Sequence, residues 1–186
     1  MSAGRPSGPP RPVPDAAALL AERLRLAHVA VRRVAASGVA AETGRVCAEL
    51  GVRRLGVPPD LPTVWRPAGV DVVEDHGLSP ADLDALDGSL TGCTLAIAET
   101  GSLVLAAGPA DGRRALSLVP DVYICVVGED QVEAEMRAAM LRIAALVRET
   151  SRPVVFVSGP SATSDIELQR VEGVHGPRRL VVILTS

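Results

Sequence analysis

The sequence predicts an α/β protein built on an open, mostly parallel sheet with helices on both of its faces. Short apolar runs rich in Val and Ile, such as 154–157 and 180–184, recur along the chain and are typical of buried strands. Between them lie stretches with apolar residues at every third or fourth position, which is the spacing of amphipathic helices. Because the two patterns alternate, we expect ligands to bind in loops that follow the carboxyl ends of strands.

Length and composition narrow the possible functions. The chain has 186 residues, and we expect a single domain over residues 15–186. Residues 1–14 contain five prolines and two glycines with little to bury, and are predicted to form a disordered tail. The chain has no lysine, a net charge of −3 and no basic run interleaved with aromatic residues, so nucleic acid is not an expected partner.

The cysteines and the apolar runs argue against a disulfide-rich, metal-binding, membrane-spanning or secreted protein. Cys47, Cys93 and Cys125 are scattered without a C-x-x-C pair, so neither a disulfide framework nor a zinc or iron–sulfur ligand set is predicted. No apolar run approaches the ~18 residues of a membrane span, and no secretory signal is evident. We therefore expect a cytoplasmic protein that holds neither a metal nor a cofactor itself.

The first half of the chain is predicted to alternate between helices and strands. An apolar stripe from Leu20 to Val34 predicts a helix that is capped by Asp15 and ends near Gly38, with His28 as a structural or surface histidine beside it. A second helix is expected over 40–50, followed by strands at 53–57 and 70–73. Ser79 followed by Pro80 predicts a short helix that ends by Gly88.

The second half is predicted to continue this alternation. Strands are expected at 93–98, 103–107, 116–119 and 123–127, the first of them small and apolar on both faces. A long helix is predicted after a cap at Asp130, with an apolar stripe from Val132 to Val147. A buried strand at 154–157, a helix at 166–171, a loop at 173–177 and a last strand at 180–184 complete the chain.

The corner Ser158-Gly159-Pro160 is the first candidate site. It follows an apolar strand, and Ser164 and Glu167 beyond it have the spacing of a capping box, so backbone N–H groups are expected to point outward at a helix N-terminus. The loop lacks the G-x-x-x-x-G-K-[ST] phosphate motif, which favours a carboxylate or another polar ligand over a nucleotide triphosphate. The alternative is ordinary helix capping with no ligand.

The segment Glu99-Thr100-Gly101-Ser102 is the second candidate site. It places a carboxylate at a strand end, next to a glycine that permits close approach of a ligand. It could form a second wall of a site. The alternative is a hairpin turn with an exposed glutamate.

Five motifs in the same order resemble the lactate-utilisation protein C family, whose domain is called LUD. They are AIAETGS at 96–102, GRRAL at 112–116, ICVV at 124–127, SGPSATSDIE at 158–167 and VEGVHGP at 171–177. The resemblance covers roughly residues 90–184, and the first 90 residues resemble the family only in layout. It implies a fold similar to the sugar-phosphate isomerase and CoA-transferase superfamily. It also implies a role in the oxidation of L-lactate to pyruvate, in which this type of subunit works with iron–sulfur partner proteins.

On this interpretation the chain is the non-redox subunit that supplies a substrate pocket or an assembly surface for a small organic acid. Oxidation of a 2-hydroxy acid requires a base, a clamp for the carboxylate and an electron acceptor. Glu99 and His175 are the candidate bases, although His175 could instead fix its loop by a hydrogen bond. The predicted substrate-binding residues are Thr100, Gly101, Ser102, Ser158, Gly159, Ser161, Thr163, Ser164, Asp165, Gly176 and Arg178.

No G-x-G-x-x-G fingerprint is present, so the electron acceptor is expected on a partner. Two alternatives stay open. Glu99 in Glu99-Thr100-Gly101 is similar to the glutamate of CoA transferases, which forms an acyl anhydride and then a thioester, so the chain could be a free-standing acyl- or CoA-transferring enzyme. It could also be a sensor for lactate or a related acid.

Overall fold

The computed structural model describes residues 15–160, 162–163, 171–172 and 176–186, with only the backbone described at 162–163 and 171–172. The helices are α1 (Ala16–Leu26), α2 (Val39–Leu50), α3 (Pro80–Asp84) and α4 (Met136–Thr150). The first six strands are β1 (Ala30–Val34), β2 (Arg54–Val57), β3 (Asp71–Glu74), β4 (Gly88–Thr91), β5 (Leu95–Ile97) and β6 (Ser102–Leu105). The others are β7 (Val122–Gly128), β8 (Val132–Glu133), β9 (Val155–Val157), β10 (Ala162–Thr163), β11 (Val171–Glu172) and β12 (Arg179–Thr185).

The main sheet confirms the predicted open, parallel architecture. Six strands pair in the order β1-β12-β7-β4-β2-β3, and every pair is parallel. Side chains of β7 alternate between the two faces: Tyr123 and Cys125 pack with α1, whereas Ile124 and Val126 pack with α2. The helices therefore cover both faces of the sheet, as predicted.

A second sheet is the feature that the sequence did not reveal. Strands pair in the order β8-β5-β6-β9, with β5 and β6 forming a hairpin. One face of this sheet joins the cluster around α1, through residues such as Ala96 and Leu103. Its other face packs Leu95 and Ile97 against α4. The second sheet thus lies between the main sheet and α4.

The first predicted helix is half as long as expected. Asp15 caps α1 as predicted, but the helix ends at Leu26, and His28 adopts the left-handed conformation with φ 62°. The residues that follow form β1, which pairs with β12. Val31 and Val34 then pack on opposite faces of the main sheet, so their helix-like spacing arises from strand alternation.

Other boundaries also differ from prediction. Strand β4, whose sequence is Gly-Ser-Leu-Thr, was missed because its composition is not β-rich, although all four of its residues are buried. Residues 116–119 form turns instead of a strand, with Leu118 N–H donating to the Ala115 carbonyl. Helix α4 begins at Met136, not after Asp130, because Val132–Glu133 pairs with β5.

Two further predictions fall at the end of the chain. Strand β9 was expected to be buried, but it is the edge of the second sheet and Phe156 is 44% exposed. The predicted helix at 166–171 lies outside the described residues except for Val171, which belongs to strand β11, paired antiparallel with β10. The predicted tail at 1–14 also lies outside them. Within the described ranges, no helix is long and apolar enough to cross a membrane.

Candidate functional site

The structure brings the two candidate loops together. Strand β6 pairs antiparallel with both β5 and β9, so the ends of β5 and β9 lie at the same rim of the second sheet. The Glu99–Ser102 turn follows β5, and the Ser158 corner follows β9. The hydroxyl oxygens of Ser102 and Ser158, 56 residues apart, are 2.8 Å from each other and share a hydrogen bond. Both candidate loops follow the carboxyl ends of strands, as expected, but these strands belong to the second sheet, and the binding of a ligand there stays a prediction.

A short chain of hydroxyl groups connects the two loops. Thr100 Oγ1 donates to Ser102 Oγ at 2.9 Å, and Ser102 in turn meets Ser158. Gly101 between them has φ 65°, and a Cβ placed there would lie 2.8 Å from the Cβ of Arg23 in α1. Only glycine therefore fits this position against α1 without displacing it. Gly159 lies on the same side, next to Ala27 at the end of α1.

Glu99 is exposed, and its carboxylate is attached to α4. Its Oε2 accepts a hydrogen bond from the backbone N–H of Met136, the first residue of that helix, at 2.7 Å. A carboxylate at this position satisfies one of the unpaired N–H groups and complements the helix dipole. The local geometry is the hairpin turn with an exposed glutamate that was the alternative interpretation. Its proposed roles as a base or nucleophile stay predictions.

Two adjoining cavities lie at the amino ends of main-sheet strands. Their volumes are about 560 and 320 Å³, and both are lined by Leu50, Arg178 and Arg179. The smaller cavity is also lined by Pro160, so the Ser158 corner borders it directly. Arg178, predicted to bind substrate, and the loop corner are thus brought together. Gly176 is described, but it does not line either cavity.

Charge distinguishes the two cavities. The larger one contains Asp84, Asp87 and Asp121 beside its arginines. Asp87 Oδ2 accepts from the backbone N–H groups of Arg53 and Arg54 at 2.8 Å each, and these bonds lower the pKa of its carboxyl group. In its described lining, the smaller cavity has arginines but no carboxylate. It is therefore the better fit for a small carboxylate ligand.

Arg178 has a weak partner. Its Nε lies 3.6 Å from Asp121 Oδ1, and both side chains are mostly exposed, so this pair contributes little to stability and a ligand could replace it. Sequence reasoning gave His28 no functional role, yet it lines the smaller cavity. No signal in the sequence pointed to this position, because its placement depends on where α1 stops.

The cysteines do not fit an iron–sulfur cluster. Cys47 belongs to α2 and is buried on one face of the main sheet, whereas Cys93 and Cys125 are buried in the cluster on the other face. Burial raises the pKa of Cys47 to about 11, and the hydrogen bond with Cys125, together with burial, raises that of Cys93. Thiols on two opposite faces of the main sheet cannot converge on one cluster.

The remaining predicted site residues are not placed. Ser161, Ser164, Asp165 and His175 lie outside the described residues, and only the backbone of Thr163 is described, in β10. In the described part of the chain, no group of three or more His, Cys, Asp or Glu side chains is arranged to hold a metal ion. The roles predicted for these residues stay predictions.

Comparison with known proteins confirms the resemblance to the LUD domain family. The family model described as the LUD domain matches residues 80–185. A protein from Deinococcus radiodurans named Lactate utilization protein C is 52% identical over 145 residues, which are 77% of this chain and 68% of that protein. A protein of the same name from Shouchella clausii is 35% identical over 114 residues, 60% of this chain and 49% of that one.

A solved structure is also similar. The crystal structure of a DUF162 family protein from D. radiodurans matches with a TM-score of 0.81 and 38% identity, covering 95% of this chain and all of that one. The similarity therefore extends over nearly the whole fold. This chain nevertheless spans only about two thirds of the D. radiodurans Lactate utilization protein C and about half of its S. clausii counterpart.

Proposed function

Because this chain belongs to the LUD domain family, we propose that it acts in lactate utilisation, as the non-redox subunit of a cytoplasmic assembly that oxidises L-lactate to pyruvate. The names of its relatives support the pathway. The proposal assigns to this chain the binding of the small acid, and to iron–sulfur partner proteins the transfer of electrons.

The observation that carries the proposal is the meeting of two loops that are far apart in sequence. Ser102 and Ser158 share a hydrogen bond, and the same corner continues through Pro160 to a cavity lined by Arg178 and Arg179. Lactate needs a cation for its carboxylate and hydrogen-bonding groups for its 2-hydroxyl group. Arg178 and Arg179 supply the cation, because Arg can bind a carboxylate through two N–H groups, and the proposal assigns the contact with the 2-hydroxyl group to Ser158, two residues before Pro160.

The cysteines support the proposal that a partner protein, and not this chain, holds the electron acceptor. Oxidation of lactate releases two electrons and two protons, so an acceptor has to be close to the bound acid. The thiols of this chain are buried on two faces of the main sheet and are not available as cluster ligands. On the proposed function the acceptor is therefore held by a partner, while this chain binds and orients the acid.

Growth on lactate tests the pathway. We expect cells that lack the chromosomal copy to grow on glucose but not on L-lactate as sole carbon source, and the intact gene to restore growth. A tagged chain recovered from those cells should bring with it iron and lactate-dependent dye reduction. Normal growth of the deletion strain on L-lactate, with an iron-free eluate, would falsify the proposal.

Ligand binding tests the site. In calorimetric titrations of the purified chain, we expect Arg178→Gln to weaken lactate binding about tenfold or more, since it removes a charge-assisted contact of about 1.5–3 kcal/mol. Arg152→Gln is the matched control, because Arg152 is also exposed but precedes β9 and lies away from the Ser158 end of that strand. Equal affinity in both variants would show that Arg178 does not bind the acid.

The transferase alternative has its own test. A CoA-transferring glutamate becomes covalently linked to CoA through a thioester. The proposed function predicts that incubation with short-chain acyl-CoA leaves the intact mass unchanged. An adduct that maps to Glu99, and that is absent in Glu99→Gln, would instead support the hypothesis of a CoA-transferring enzyme.

A further inference from the structure

Helix α4 presents an unusual concentration of exposed apolar residues. Seven large apolar side chains are markedly exposed in the described structure, and four of them belong to α4 or to the neighbouring strand β9. They are Met140, Leu141, Val147 and Phe156, which are between 39% and 67% exposed. Scattered exposed apolar residues are ordinary, but such a grouping is typical of an interaction surface.

Helix geometry places these residues side by side. Arg142 pairs with Glu133 of β8, so that flank of α4 faces the β8 edge of the second sheet. At about 100° per residue, Met140 and Val147 lie roughly 160° and 140° around the helix from Arg142. They therefore face the opposite edge, which is β9.

The side chain of Phe156 points to the same side. Phe156 pairs with Val104 in the antiparallel β6–β9 ladder, so the two side chains share a face of the second sheet. Val104 packs against Ala139 and Ile143 of α4. Phe156 therefore lies on the face of the second sheet that α4 covers. It is next to the side of α4 that carries Met140 and Val147. We call Arg137, Met140, Leu141, Val147, Arg148 and Phe156 the outer α4 surface.

The charge on this surface has one sign. Arg137 and Arg148 lie on the same side of α4 as Leu141, both are exposed, and neither is paired with a carboxylate in the described part of the chain. The nearest acidic residue of α4, Glu149, lies about 100° further round the helix from Arg148. A complementary partner would present apolar residues together with carboxylates.

We propose that the outer α4 surface docks an acidic, partly apolar surface of the partner protein that supplies the electron acceptor. The inference rests on the proposed function and adds to it the place of assembly. A second copy of this chain fits less well, because a two-fold contact through this surface would bring Arg137 and Arg148 against the arginines of the other copy. Arg, Met and Phe are also enriched at protein interfaces.

The position of the surface relative to the candidate site supports this choice. Helix α4 begins at Met136, whose N–H group is bound by Glu99 of the candidate loop. A protein docked along α4 therefore lies beside the Glu99 turn, which is joined through Ser102 to the Ser158 corner that borders the smaller cavity. Such a position would hold the acceptor close to the substrate.

Charge and polarity changes on α4 test the inference. Leu141→Glu and Arg148→Glu are made in the tagged full chain and expressed in cells that lack the chromosomal copy and grow on glucose with L-lactate added. Glutamate is a good helix former, so α4 should remain folded, which the thermal unfolding midpoint checks. Val64→Glu is the matched control, since Val64 is 73% exposed but lies beside α2, on the other side of the main sheet.

We expect both α4 variants to lose about tenfold or more of the co-purifying iron and dye-reducing activity, whereas Val64→Glu retains both. Iron recovery equal to wild type in the α4 variants would overturn the docking surface and leave the proposed function standing. A wild-type eluate without iron would instead remove the proposed function, and this inference with it. A dimer in analytical ultracentrifugation that Leu141→Glu dissociates would show that the occupant is a second copy and overturn the inference.

Discussion

The two sheets of this protein differ in how deeply their residues are buried. The main sheet is covered on both faces, and the side chains of β7 and β12 are almost all buried. The second sheet ends in the edge strand β9, whose central residue Phe156 is exposed, and its rim carries Thr100, Ser102 and Ser158. The main sheet therefore contributes mostly buried core residues, whereas the rim of the second sheet and α4 carry exposed side chains such as Thr100 and Leu141.

The largest expected difference between the sheets concerns stability. Ile124 of β7 is fully buried, so Ile124→Ala should lower the free energy of unfolding by about 2–5 kcal/mol through lost burial and a residual cavity. Phe156→Ala on β9 should cost about 1 kcal/mol or less, because much of that side chain is exposed. Urea unfolding of both variants measures the contrast. Equal costs would contradict the assignment of β9 as an edge strand.

The buried carboxylate of Asp75, just after β3 and paired with the partly exposed Arg113, should make the main sheet sensitive to acid. Burial alone would raise the pKa of Asp75, but hydrogen bonds from Arg113 and from the backbone of Leu78 and Gly77 outweigh it, so its pKa is lowered. A lowered pKa means that the contribution to stability is present above the pKa of the unfolded chain. It is lost as pH falls through the folded pKa.

Asp75→Asn should therefore cost roughly 1–3 kcal/mol at pH 7 and make the free energy of unfolding less dependent on pH below about 4. Urea unfolding at a series of pH values measures this. Asp71→Asn is the control, because Asp71 starts the same strand and its side chain is 65% exposed. A variant that keeps the acid sensitivity of the wild type would exclude Asp75 as its source.

The rim of the second sheet should show a smaller, specific coupling. Ser102→Ala, Ser158→Ala and the double variant form a thermodynamic cycle for the hydrogen bond between the two loops. We expect a coupling of about 0.5–1.5 kcal/mol in the free energy of unfolding. Ser37→Ala, at an exposed turn, serves as a control that should not couple with Ser158→Ala. Additive effects in the Ser102–Ser158 cycle would argue against a preformed contact.

The smallest effect concerns the turn between α1 and β1. His28 has φ 62°, which is strained for a residue with a Cβ, so His28→Gly should raise the free energy of unfolding by about 0.5–1 kcal/mol. Ala27→Gly, at φ −86°, relieves no strain and should be neutral or destabilising. The difference in thermal unfolding midpoint checks this. A loss of stability in His28→Gly would imply that the imidazole makes a contact that offsets the strain.

Much of the fold could be predicted because it follows from local patterns. The stop of α2 at Gly51 and the Ser79 capping box occur where the turn and cap residues indicated them. The Glu99 turn and the Ser158 corner were also singled out correctly as neighbours of strand ends. Such signals are local, since a cap or a turn needs only the few residues around it.

The errors have a common physical cause. The apolar residues from Leu20 to Val34 keep one spacing, but the first of them lie in a helix and the last in a strand. Val31 and Val34, three positions apart in that strand, pack on opposite faces of the main sheet. Strand β4 was invisible because its polar residues are buried by tertiary contacts, such as the hydrogen bond from Ser89 to the Leu116 carbonyl. The spacing of apolar residues in a segment does not show which other strand or helix that segment will pack against.

By itself the sequence determined the α/β class, the parallel main sheet and the LUD family, because these depend on apolar periodicity and on short ordered motifs. Only the tertiary structure decided that a second sheet exists, and that β6 brings Ser102 to Ser158 by pairing with both β5 and β9. It alone placed Arg178 at a cavity beside Pro160, and Glu99 on the first residue of α4. Strand register and helix docking are long-range choices, and they depend on the packing of the whole chain rather than on any one segment.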